Sequence, residues 1–155
     1  MSKVFVVKVA SPAAIAVLRQ ATAISPKREK ASDGLLPSQA HIAASPNSDH
    51  NLGLAADLTH DPKRGIDCRE IYEKLKQDKR VAYLIFQGKI YSRVMGERRY
   101  TGKNPHNKHL HISIHRARAN DTSPWFPWLG KPRLVGKLRS KLTSGKKKKP
   151  SPKED

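Results

Sequence analysis

The chain has 155 residues and a mass of 17.3 kDa, which is room for one domain and a tail but not for two large cores. Hydrophobic residues make up 37% and net charge is +18, from 31 Lys and Arg against 13 Asp and Glu; a globular chain usually holds about 45–50% apolar residues. No stretch approaches the about 20 apolar residues that a membrane-spanning helix needs, and a lone cysteine excludes an internal disulfide or a four-cysteine zinc site.

Taken in chain order, the N-terminal apolar stretch is interrupted by Lys8 and followed by Arg19, which makes a poor secretion signal. Synthesis in the cytoplasm, with the mature protein starting here, is the expectation. Lys3–Val9 alternates weakly and reads as a strand. Ser11-Pro12 has the form of an N-cap followed by proline at the first helical position, opening a helix that runs to about Ala23. Residues 25–49 are rich in Ser, Pro, Asp and Gly and read as a long loop with room for one helical turn. A loop of that length in a small domain is usually functional or disordered.

Residues 54–60 read as a short strand, and Asp67 opens a helix whose buried stripe is Cys68, Ile71 and Leu75. Val81–Phe86 and Lys89–Val94 flank Gln87-Gly88 as a β-hairpin. A loop from Gly96 to Asn107 leads into His109–His115, the clearest strand in the chain. This order predicts an α+β domain over residues 1–130, built on a small antiparallel sheet flanked by helices and long loops. Trp125-Phe126-Pro127-Trp128 reads as a hydrophobic clasp that packs the chain end onto the domain, in preference to a glycan- or membrane-binding patch. Residues 131–155 carry ten Lys or Arg and two acids, eight of the eighteen net charges, with nothing apolar after Leu142. They read as a disordered basic tail, either a solvating segment or an electrostatic tether to an anionic polymer.

Four of the seven histidines fall within His106–His115. On a strand, alternation sends Leu110, Ile112 and Ile114 to one face and His109, His111, Ser113 and His115 to the other. Two imidazoles side by side suit a metal, though surface histidines beside an apolar stripe give the same pattern. Upstream, Leu54, Ala56 and Leu58 would pack inward and leave Asp57 on the opposite face, where burial requires a partner. Gly53 lets the backbone turn so that His50 folds back towards Asp57. Two imidazoles and one carboxylate leave a fourth position open, the arrangement of catalytic rather than structural zinc. His41 and His60 read as polar loop residues or as supports for the ligands, His115 as exposed and Cys68 as an inert core thiol.

The segment Ser48-Asp49-His50-Asn51-Leu52-Gly53-Leu54-Ala55-Ala56-Asp57 resembles the Ser-x-His-x-x-Gly-x-Ala-x-Asp signature of the LAS-type zinc peptidases, a family that includes lysostaphin-like and D-Ala-D-Ala peptidases and hedgehog-like domains. His106-Asn107-Lys108-His109-Leu110-His111 resembles the His-x-x-His-x-His arrangement of the penicillin-insensitive murein endopeptidase branch, while Ser32-Asp33-Gly34 and Thr101–Ile114 resemble lysin-type domains of phages and actinobacteria. The resemblance spans about Arg28 to Ile114 and leaves the first 20 residues and the tail uncovered. It implies that His50, Asp57 and His111 bind Zn²⁺, that His109 is the general base, and that His106 and Arg28 steady the oxyanion or the substrate's negative charge. Lys108 stands where the D,D-dipeptidase branch has an acid, so His109 is the base or the protein is inactive.

The function so implied is a zinc peptidase, with activated water as nucleophile, that cuts a peptide bond of bacterial peptidoglycan, either as a phage-type lysin or as a domain of a virion or secretion apparatus; a monomer is expected. The positive charge suits that anionic wall. A nucleic-acid-binding protein or small metal-dependent nuclease is the alternative that the charge equally suits, although aromatic residues are only 6%. An inactive metal-binding wall module is a third reading.

Overall fold

A computed structural model describes residues 3–130. The basic segment 131–155, expected as a disordered tail, lies outside the described residues. Ser11 caps the first helix, α1 (Pro12–Ile24), by accepting the Ala14 N–H, one of the donors that a helix start leaves free. A short helix α2 (Gln39–Ala44) follows, capped by Ser38, and then a 3-10 turn over Asp49–Leu52. Strand β1 is Ala55–Thr59, helix α3 is Cys68–Leu75, and the remaining strands are β2 (Val81–Phe86), β3 (Lys89–Ser92), β4 (Gly96–Arg99) and β5 (His109–Ile114). All pairings are antiparallel in the order β1-β5-β2-β3-β4. The expected α+β architecture is therefore present.

Alternation divides the sheet into two chemistries. Ala56, Leu58, Leu84, Leu110 and Ile112 are fully buried and fall opposite one another, Leu58 on Leu110 and Ala56 and Leu84 on Ile112. The other face carries Asp57, Tyr83, His109, His111 and Ser113. Helix α1 packs on β1 and α3 on β2 and β5. The α3 stripe of Cys68, Ile71 and Leu75 is buried as its spacing requires, with Tyr72 beside it. Truncating any of these large core side chains to alanine would cost about 2–5 kcal/mol. Burial pushes the Cys68 thiol well above its ordinary pKa, so it is held as an unreactive core group.

Two expectations are corrected. Lys3–Val9 forms no strand; it runs beside the 3-10 turn, with Val7 N–H on Asn51 O at 2.8 Å, and exposes Phe5 and Val9. Its alternation therefore has no sheet to bury against. The loop from Gly96 is not wholly irregular, because its first four residues form β4. Gly-Glu-Arg-Arg has no apolar alternation. It is an edge strand held by its pairing with β3 and by Glu97, which accepts from Tyr72 Oη at 2.9 Å and Lys76 Nζ at 3.0 Å.

The chain divides into two compact units, Met1–Trp125 and Phe126–Asp155. Trp125 closes the first: it is fully buried, its Nε1–H donates to Ala13 O at 3.0 Å, and the Arg80 guanidinium lies 3.6 Å over its ring. The described part of the second is a turn with Leu129 N–H on Phe126 O at 3.0 Å and the Phe126 and Trp128 rings edge to face.

Candidate metal centre

The site begins with a register. Asp57 gives its N–H and receives an N–H at its C=O from Gly34, at 2.8 and 3.1 Å, so it spends neither group on β5. Its cross-strand partner His111 is therefore a non-hydrogen-bonded neighbour, the class in which side chains come closest. His111 Nδ1 lies 3.1 Å from Asp57 Oδ1. The third residue arrives by the turn foreseen at Gly53. That residue has φ 68 and ends the 3-10 turn; a Cβ there would lie 3.0 Å from both Val7 Cγ2 and Val9 O, so only glycine fits. The turn brings His50 Nε2 to 3.2 Å from Asp57 Oδ2.

His50, Asp57 and His111 thus converge although His111 lies 54 residues beyond Asp57. One ligand atom from each lies within 4.8 Å of the others, a group that could hold a metal ion. Their outer atoms are also fixed. His50 Nδ1–H donates to Leu35 O at 2.8 Å, which leaves Nε2 for the centre. His111 Nε2 is 2.8 Å from Ser113 Oγ, which leaves Nδ1 for the centre. Partners of this kind orient metal-binding imidazoles and set their tautomers.

Without a cation the cluster is held by protons. Burial pushes the Asp57 carboxyl up, but hydrogen bonds from His111 and His50 and their charges outweigh it and hold the group well below the carboxylate range. Burial likewise opposes charge on His50, yet the Asp57 carboxylate and the Leu35 carbonyl raise its pKa overall. A divalent cation between these atoms would take the place of the protons on the inward nitrogens.

His109 lies on the same face as expected, its Nε2 3.8 Å from Asp57 Oδ2 and its side chain 15% exposed. Burial lowers its pKa, and although Asp57 pulls the other way, His111 and His50 add to the lowering. His106 joins through its ring, with centroids 4.8 Å from His109 and 5.7 Å from His111. Its backbone is left-handed at φ 60, an uncommon state for a histidine, and the loop is pinned by Gln87 N–H on His106 O at 3.1 Å.

Two roles implied by the resemblance meet a different geometry. His106 Nδ1–H donates to Asn104 O at 2.7 Å, and burial, with His111 and His109 nearby, lowers its pKa to about 4. The neutral ring therefore turns a lone pair, not a proton, outward at Nε2, the wrong polarity for steadying an oxyanion. Arg28 is not in the cluster at all. Its side chain is 1% exposed, and its guanidinium is used on Thr22 Oγ1, Glu29 O, Leu18 O and both oxygens of Asp33. It has no face left for a substrate.

Three neighbours were missed as site residues. Tyr83 stacks on His111 with centroids 5.5 Å apart and planes at 20°, and burial pushes its phenol up to about 12, so it stays protonated. Its place depends on β2 pairing with β5, which residue spacing does not reveal. Ser113 was visible on the His111 face, and the Leu35 carbonyl had no side-chain signal. His41 Nε2 meets Ser48 Oγ at 2.8 Å and its ring stands edge to face on His50; His115 is exposed. No helix among the described residues is long and apolar enough to cross a membrane. No protein-family model, curated protein or solved structure matches this chain.

Proposed function

We propose that this chain is a zinc-dependent peptidase that hydrolyses a peptide bond of bacterial peptidoglycan. The observation that carries the reading is the convergence of His50, Asp57 and His111, whose ligand atoms lie within 4.8 Å of one another. The donor set fits zinc: two imidazoles and a carboxylate with the outer nitrogens occupied, short of four ligands and so leaving a position for water or substrate. Zinc bound there supplies Lewis acidity, which polarises an amide carbonyl and makes water nucleophilic near neutral pH.

The chain's own residues supply the rest. His109 Nε2, 3.8 Å from Asp57 Oδ2, stands beside the ligands without being one of the three. As a neutral imidazole it accepts a proton at Nε2 and returns it to the leaving amine. Tyr83 and Ser113 hold the His111 ring, by stacking and at Nε2 respectively. The match to the LAS-type signature at Ser48, His50, Gly53, Ala55 and Asp57 points to peptide chemistry, and the +18 charge suits an anionic wall.

Digestion of purified peptidoglycan, with mass analysis of the fragments, tests the reading. New amino and carboxyl termini are expected in stem or cross-link peptides. His109→Ala should keep its metal and lose about 10²–10⁴-fold in rate. Intact peptidoglycan, or cleavage of nucleic acid in the same preparation, would replace this function with the wall-binding or nuclease reading.

A further inference from the structure

Arg28 lies outside the cluster, yet it is joined to it through four consecutive residues. Its Nη1 and Nη2 grip Asp33 Oδ1 and Oδ2 at 3.0 and 2.6 Å, the forked geometry that makes Arg–carboxylate pairs strong and directional. Asp33 Oδ1 also accepts the Thr59 N–H at 3.0 Å and the Thr59 O–H at 2.8 Å, and Ser32 N–H donates to Thr59 Oγ1 at 3.0 Å. Residues 32 and 33 are thereby fixed to the end of β1. The next residue, Gly34, forms the two-bond bridge to Asp57, and the next, Leu35, offers the carbonyl that orients His50.

Gly34 meets a second requirement. A Cβ there would lie 3.2 Å from Asp57 Oδ2, with nothing but Asp57 atoms among its nearest neighbours. Its φ is not in the left-handed region, so its backbone conformation is open to alanine. The lack of a side chain serves the carboxylate alone.

We infer that residues 32–35, anchored by the Arg28–Asp33 pair, form a clamp that positions Asp57 and His50 for a divalent cation, with Arg28 and Gly34 as positioning residues. The inference rests on the metal-centre reading given above. Ligands held in place before binding lose little freedom when the cation arrives, and outer partners of metal ligands are typically worth about 10–100-fold in affinity.

The test is zinc titration of the full chain against a chromophoric chelator, paired with the visible spectrum of the Co²⁺ form and urea unfolding of the metal-free protein. Three variants decide it. Gly34→Ala should weaken zinc binding by about 10–100-fold and shift the cobalt bands while leaving the urea midpoint close to that of the wild type. Arg28→Met should weaken binding similarly. Arg80→Met breaks a comparably buried pair with Asp78; the other partners of Arg80, at Asp121, Ser123, Pro124 and the Trp125 ring, are none of the three metal-centre residues. It should lower the urea midpoint and leave zinc affinity unchanged.

Should Arg28→Met fail to fold, Gly34→Ala against Arg80→Met still decides. Wild-type affinity and spectrum in Gly34→Ala would overturn the clamp, as would an Arg80→Met loss equal to that of Arg28→Met. A wild-type protein that binds no zinc would overturn the metal centre itself, and the clamp with it.

Discussion

His60 stands at the start of α3, where its Nδ1 accepts the Cys68 N–H at 3.0 Å. Nδ1 can do so only while unprotonated, so the helix start is tied to the state of one imidazole. Burial lowers the His60 pKa; Asp67 raises it, Arg69 lowers it again and Asp61 raises it, with a net lowering. The unfolded chain takes up its proton near pH 6.5. Between that value and the lower folded one, the unfolded state holds more protons, so stability falls as pH falls. The contribution is complete above about pH 6.5 and amounts to about 1 kcal/mol, one hydrogen bond. Acidification from pH 7 to 5 should reduce hydrogen-exchange protection at the Cys68 amide, and His60→Gln should flatten that part of the stability curve. An unchanged slope in His60→Gln would show that the imidazole does not govern this helix start.

At the scale of elements, the strands that place the site were the legible ones. Strict alternation in His109–Ile114 put the histidines on one face, and Leu54, Ala56 and Leu58 fixed the facing of Asp57; both strands formed. What spacing could not supply was pairing. Nothing in Gly-Glu-Arg-Arg marks a strand, because β4 is held from outside by β3 and α3. Similarly, nothing around Arg28 shows that an aspartate five residues later will occupy its guanidinium. Gly34 was legible only as part of the 25–49 loop and of the Ser32-Asp33-Gly34 resemblance, because its use is a contact with Asp57 that appears only after folding. Glu97→Gln tests the account of β4. Its carboxylate is partly exposed, so a loss of about 0.5–1 kcal/mol is expected, with exchange protection lost first in residues 96–99. Protection lost uniformly across the sheet would mean that Glu97 does more than dock one edge.

On the scale of the whole molecule, sheet order does the assembling. Placing β1 next to β5 brings Asp57 opposite His111, and the Gly53 turn adds His50. Net charge is a separate property, +18 over the full chain with eight of those charges in residues 131–155. On the proposed reading, attraction between so basic a protein and an anionic wall would be screened by salt, with a Debye length of about 8 Å at 0.15 M. A chain ending at residue 130 should leave purified cell walls at lower salt than the full chain. Equal elution would remove the segment from wall association.

Everything chemical here depends on a cation seated between His50, Asp57 and His111. An anomalous difference map at the zinc edge, from crystals of the zinc-loaded full chain, addresses it directly. The account predicts one peak about 2.0–2.2 Å from His50 Nε2, His111 Nδ1 and an Asp57 carboxylate oxygen. A peak bound elsewhere, or none at these three side chains, would contradict it.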